Sequence, residues 1–349
     1  MLCICAMRNF TLNIPTTTKL REAEIRAELA AVGLVWRDAK RLAPDWFGSA
    51  LESGSGFLEA KLFLAKNFGL RLDQNGKLQR SSAVPTKFKT RANIDISEVV
   101  SAQHMAASCA RTVASSFDTP VSAFGLLPDA LRSKAFNLTN RPWFDFEVLV
   151  NLSWSLGVPV LYLPNIPAAG KKMDGLVTFV LGRPVVVLTR KSHPDWLLFI
   201  LAHELGHIAM GHLEASEGAS ILDEKISDDA DYDVQEKEAN EFAVSVLTPG
   251  GRKLRLQQLM SANKFSQLAL SYGREHGISP GHVILNASKH TTVNGKSIWP
   301  LGIKALGMLP DDARSRPAEI VCKEATNKYL DLSKISDDSL EFLEKLDVI

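Results

Sequence analysis

Between Trp196 and Ile208 the chain reads WLLFILAHELGHI, an apolar run interrupted by His203, Glu204 and His207. No proline breaks the run, and Ser192-His-Pro-Asp195 before it has the form of a capping box, a Ser followed three residues on by an acid. A helix that is apolar on all sides is a buried helix. Two imidazoles and a carboxylate inside such a helix are costly unless something satisfies them. The fold must therefore be built around this helix, and it must carry a polar site in its interior.

The spacing says what that site can be. On a helix, positions i and i+4 share a face, so the imidazoles of His203 and His207 can converge on one ion. Glu204 projects from nearly the same side. A catalytic zinc ion takes neutral ring nitrogens at ~2.0–2.1 Å and keeps a position open. It lowers the pKa of bound water toward ~7, and Glu204 is placed to accept the proton and pass it to a leaving amine.

A third ligand is required. The pattern HExxHxxGxxH would supply a third His, but here His212 falls one residue short and position 213 is Leu, so His212 is read as a histidine at the helix end. A carboxylate on a later helix suits better. In Glu236-Lys-Glu-Ala-Asn-Glu-Phe-Ala243, Glu236 and Asn240 share a face bordered by Ala239, Phe242, Ala243 and Val246. Glu236 can ligate while Asn240 supports a histidine. Glu238 and Glu241 lie elsewhere around this helix and stay open as alternatives.

Flanking patterns give an α+β protein. Helices are expected over 19–33, 57–69, 96–116, 143–156, 234–247 and, split near Gly277-Ile-Ser-Pro-Gly281, over 263–289. Strands are expected at 158–163, 176–180 and 184–188, the last two as a hairpin through Gly182. The strand before the histidine helix is read as one whose edge could pair with an extended substrate. Ser49 to Gly56 reads as a loop and residues 76–95, basic and broken by Pro85, as an exposed linker. These patterns divide the chain into a mostly helical part over 1–140, a domain with a small mixed sheet around the histidine helix over 141–290, and an extension over 291–349 with weak signals.

Charge and cysteines narrow the setting. The net charge of +1 gives no global pull toward nucleic acid or anionic membrane. The charge is uneven, with 18 Lys and Arg against 12 Asp and Glu over 1–140, and 11 acids against 2 bases over 213–241, a density typical of a solvated loop. Cys3, Cys5, Cys109 and Cys322 form neither a zinc-finger spacing nor a disulfide framework, which fits a reducing, cytoplasmic compartment. The apolar start Met1 to Met7 is too short for a signal peptide, and no stretch has the length of a membrane span.

Taken together, LLFILAHELGHIAMGH and, further on, EKEANEFAVSVLTP resemble the ImmA/IrrE family of metallo-endopeptidases. Leu156-Gly-Val-Pro-Val, Asp174-Gly and Gly182-Arg-Pro-Val-Val-Val-Leu resemble the lead-in of that family, and GISPGHVILNASKH its closing helices, so the likeness covers about 140–290. It implies a compact α+β, zincin-like domain with a thermolysin-like zinc site: His203 and His207 as ligands, Glu204 as base, Glu236 as third ligand. It also implies cleavage of a DNA-binding repressor or another regulatory protein, in a stress response or on a mobile element. Many members carry a helix-turn-helix, but Leu70-Arg-Leu-Asp-Gln-Asn-Gly76 does not continue as a recognition helix, so direct binding of nucleic acid is not expected. The alternative is a regulator or partner-binding module that uses the zinc fold as a scaffold. His276, His282, Tyr272 and Arg274 are the candidates, none of them assigned, for stabilising an oxyanion.

Overall fold

The computed structural model describes residues 17–81, 86–89, 96–167, 174–223 and 234–349. The apolar start with Cys3 and Cys5, much of the basic stretch before residue 96 and the middle of the acidic block lie outside the described residues.

The chain opens with helices α1 (Thr18–Ala31), α2 (Trp36–Leu42), α3 (Phe47–Ala50) and α4 (Gly54–Asn67), then a small hairpin of β1 (Leu70–Leu72) and β2 (Leu78–Arg80). Thr17 caps α1 by accepting from the Leu20 N–H. The segment read as a loop from Ser49 is instead a tight junction of two helices. Ser53 caps α4 by accepting from Gly56 N at 3.0 Å, and a Cβ on Gly56 would lie 2.3 Å from the Ala50 carbonyl oxygen. The glycine there serves close approach rather than flexibility. Lys61 is buried where α1, α4 and the hairpin meet, and it donates to Glu24 at 2.7 Å, Glu28 at 2.8 Å and the Gly76 carbonyl at 3.0 Å.

The main sheet has five strands in the order β3-β7-β5-β6-β4. Strand β3 (Thr86–Lys89) leads to helix α5 (Ile96–Ala114), followed by α6 (Pro128–Phe136) and α7 (Phe146–Ser155). Then come β4 (Val160–Tyr162), β5 (Gly175–Val180), β6 (Arg183–Leu188), helix α8 (Pro194–Ala209), β7 (Ser220–Asp223) and helix α9 (Val234–Leu247). The β5–β6 hairpin turns through Leu181 and Gly182, both at positive φ, as a two-residue turn matched to strand twist requires. Every residue of β5 is buried, because α5 and α8 both pack on the sheet.

Three readings are corrected here. The supposed linker over 76–95 contains β2 and β3, and β3 pairs in parallel with β7, Thr86 opposite Ser220 and Lys89 opposite Asp223. The acidic block is not all solvated loop: it holds β7, whose Ile221 and Leu222 are buried against β5. The strand before α8 is no edge, since β6 is paired on one side by β5 and on the other by β4. A strand of three or four residues carries too little alternation to be read locally, and its sheet partners are distant in sequence.

After α9 come α10 (Ala262–His276) and α11 (Pro280–His290), divided at Gly277 in the left-handed region. A minimal hairpin of β8 (Thr292–Val293) and β9 (Lys296–Ser297) leads to α12 (Trp299–Leu306), α13 (Ala318–Tyr329) and α14 (Asp337–Lys345). The last two return to the core. Tyr329 on α13 stacks on Trp154 of α7 with ring centroids 5.5 Å apart, and Phe342 on α14 meets Phe63 of α4 and Phe68 just past its end. One hydrophobic cluster thus runs from Ile25 through the sheet to Ile349, and packing crosses the boundaries suggested at 140 and 290. No helix among the described residues is long and apolar enough to cross a membrane.

Candidate metal centre

Helix α8 begins one residue later than the capping-box reading implies. His193 rather than Ser192 is the cap, its ring accepting from the Asp195 N–H, because Pro194 takes the first helical position, where its missing N–H costs nothing. From Leu197 to Ala209 every residue is buried, with His203, Glu204 and His207 fully so.

Helix α9 reaches α8 through Gly206, the glycine of HELGH. A Cβ there would sit 3.2 Å from Ala239 Cα, from the Ala239 carbonyl oxygen and from Phe242 Cβ, so a larger residue would push the helices apart. The far end of α9 is tied down by Arg132 of α6, which donates to the Val246 carbonyl at 2.9 Å and to the Gly277 carbonyl at 2.6 Å. This placement carries Glu236, in the first turn of α9, to the histidines. His203 Nε2 lies 3.1 Å from His207 Nε2. The Glu236 carboxylate lies 3.1 Å from His207 Nε2 and 3.5 Å from His203 Nε2.

One donor atom from each of His203, His207 and Glu236 falls within 4.8 Å of the others, and all three residues are buried. Two imidazole nitrogens and a carboxylate oxygen are the donor set of a three-ligand site that leaves a position open. Burial alone would raise the Glu236 carboxyl, but the imidazoles of His203 and His207 beside it hold it well below the usual carboxylate range. Glu236 is thus the anion of the group. Residues, charge and spacing all fit a divalent ion.

The sequence places Asn240 correctly: its Oδ1 lies 3.1 Å from His203 Nδ1. It misses the pairing of His212 with Glu238. Past the end of α8 the chain turns at Gly211, in the left-handed region, and brings the buried His212 ring under His207, Nδ1 to Nδ1 at 2.9 Å. The other ring nitrogen of His212 meets Glu238 at 2.9 Å. Glu238 faces away from Glu236 around α9, yet it joins the site through this second histidine. Glu241 stays exposed beside Lys237 and outside the cluster. No spacing rule signals the His212–Glu238 pair, because it depends on the turn at Gly211.

Glu204 rests against the start of β5. A Cβ on Gly175 would fall 1.9 Å from its Oε1, so position 175 accepts no side chain without moving the carboxylate. The neighbouring Asp174 anchors the strand by accepting from Arg190 at 2.6 Å. The Asp-Gly pair therefore divides its work between holding the strand and making room for Glu204.

The four oxyanion candidates lie on the closing helices. Tyr272 and His276 pack ring to ring on α10, which also carries Arg274. His282 is buried on α11 with Nε2 3.2 Å from Thr248 Oγ1, and burial pushes its pKa down to about 4.

Residues 155–272 match the Peptidase M78 family model, described as an IrrE N-terminal-like domain, over about a third of the chain, including α8, α9 and all of the residues above from Asp174 to Glu241. No curated protein and no solved structure matches the chain.

Proposed function

Residues 155–272 carry an IrrE N-terminal-like domain, and on that premise we propose that the chain is a zinc-dependent endopeptidase of the ImmA/IrrE kind that cuts a regulatory protein in the cytoplasm. The observation that carries this reading is the convergence of His203, His207 and Glu236 within 4.8 Å, with Glu204 next to His203 on the same helix. Zinc held by His203, His207 and Glu236 would supply Lewis acidity to polarise a peptide carbonyl and acidify water.

The protein's own groups do the rest. Glu204 takes the proton of the attacking water on its carboxylate and delivers it to the leaving amine. Gly175 and the fully buried setting of Glu204 keep that carboxylate in one place. Asn240 holds the ring of His203.

Access supports selective rather than digestive cleavage. Glu204 lies against β5, and β5 is already paired on both edges, by β6 and by β7. An arbitrary extended chain therefore has no free edge beside Glu204 on which to align. A partner must bring its own fit, and a DNA-binding regulator is the partner class this family resemblance favours. The free, buried Cys109 and Cys322 accord with a reducing compartment.

The test is Glu204→Gln. It should keep zinc and fold, slow cleavage of a genuine substrate by ~10²–10⁴-fold, and trap that substrate from a lysate. Unchanged cleavage by the variant would overturn the mechanism. Efficient casein digestion by the full-length protein would overturn the selectivity.

A further inference from the structure

We propose that His212 and Glu238 form a relay that positions His207 for the metal, an inference that rests on the metal-site reading above. The argument comes from the two edges of each ring. The Nε2 edge of His207 faces Glu236 and His203, each at 3.1 Å, so this is the nitrogen whose lone pair meets an ion. A neutral imidazole carries one proton, which must then sit on Nδ1. His207 Nδ1–H donates across 2.9 Å to His212 Nδ1, which therefore accepts. The proton of His212 is left on Nε2, where it donates across 2.9 Å to the Glu238 carboxylate. Two contacts fix both tautomers and both ring orientations.

The two ligand histidines are thus held differently. His203 donates to the neutral side-chain oxygen of Asn240. His207 ends, through His212, on an anion. A carboxylate at the end of such a chain draws positive charge onto the imidazole nearest it and makes the ligand nitrogen at the other end more basic. Helix α9 then supplies three parts from one stretch: the ligand Glu236, the support of His203 at Asn240, and the terminus of the relay at Glu238. His212 is 5% exposed and the Glu238 side chain 41% exposed, so the relay leads from the buried site to solvent and its outer member can be replaced without opening the core.

The measurement is zinc affinity of the full-length protein by competition with a chromophoric chelator, with visible absorption of the cobalt-substituted form as a second readout. Thermal melts in excess EDTA check the apo fold. His212→Phe fills the space but cannot accept a hydrogen bond, and it should weaken zinc by ~10–100-fold and shift the cobalt bands. His212→Gln, which keeps an acceptor, should recover most of that loss, a rescue that a merely space-filling role would not produce. Glu238→Gln should weaken zinc by a smaller factor, and in the His212→Phe background it should have no further effect, since the link to His207 is already cut. Glu241→Gln, on the same helix but outside the relay, should leave affinity unchanged. Wild-type affinity in His212→Phe, or an equal Glu238→Gln loss with and without His212, would overturn the relay while leaving the metal site standing. A wild-type protein that holds no zinc would overturn the metal site and the relay with it.

Discussion

Gly175→Ala tests the placement of Glu204 without relying on a known substrate. The new Cβ would stand 1.9 Å from Glu204 Oε1, 2.8 Å from its Cδ and 3.3 Å from its Cγ, so the three nearest atoms all belong to Glu204. Relief requires the carboxylate to retreat on the order of 1 Å or more to reach ordinary contact, and Glu204 is fully buried with no solvent to move into. Overpacking of this kind costs ~1–3 kcal/mol. Against it stands a gain of ~0.4–1 kcal/mol, because alanine restricts the unfolded chain more than glycine does. The net effect in the wild-type background is a loss. In a Glu204→Ala background the obstructing atoms are gone, and the same substitution should become neutral or stabilising. Urea denaturation of the four proteins, with EDTA present so that bound metal does not contribute, should give a coupling energy of about 1–3 kcal/mol. The Gly175→Ala protein should keep its zinc, since no ligand moves, while a misplaced base lowers turnover by ~10²-fold. Equal effects of Gly175→Ala in both backgrounds would refute the argument.

Glu236→Gln should weaken zinc far more than Glu238→Gln or Glu241→Gln, because it alone removes a donor from the cluster; metal content after dialysis decides this, and a larger loss in Glu238→Gln would show that the wrong carboxylate had been placed at the metal. His282, buried among Asp195, Arg132, Lys289 and His290, has its pKa pushed down to about 4 by burial, so the unfolded chain takes up the proton first. Its contribution to stability should be constant above pH ~6.5 and fall by up to about 3 kcal/mol as pH drops through that value toward 4; a His282→Gln protein with the wild-type pH dependence would disprove this. Lys61→Ala strips Glu28 of its buried partner and should cost ~3–5 kcal/mol in denaturant unfolding, and a loss under 1 kcal/mol would mean the ion pair is not closed off from water.

Periodicity alone marked the central helix and its candidate ligands. The run from Trp196 to Ile208 fixes a buried helix, the spacing of His203 and His207 fixes a shared face, and the stripe from Ala239 to Val246 turns Glu236 and Asn240 inward. These are local facts, because a helix converts sequence spacing into direction within a few residues. Tertiary structure decided the approach of α9 to α8 across Gly206, the room made for Glu204 at Gly175, and the meeting of His212 with Glu238 beyond the turn at Gly211. It also decided that β3 and β7 complete the sheet and that the weakly patterned C-terminal helices close the N-terminal core. Each of these joins residues far apart in the chain, through short strands or single close contacts. No local pattern encodes them, since the partner that gives each its meaning is supplied only when the chain is packed.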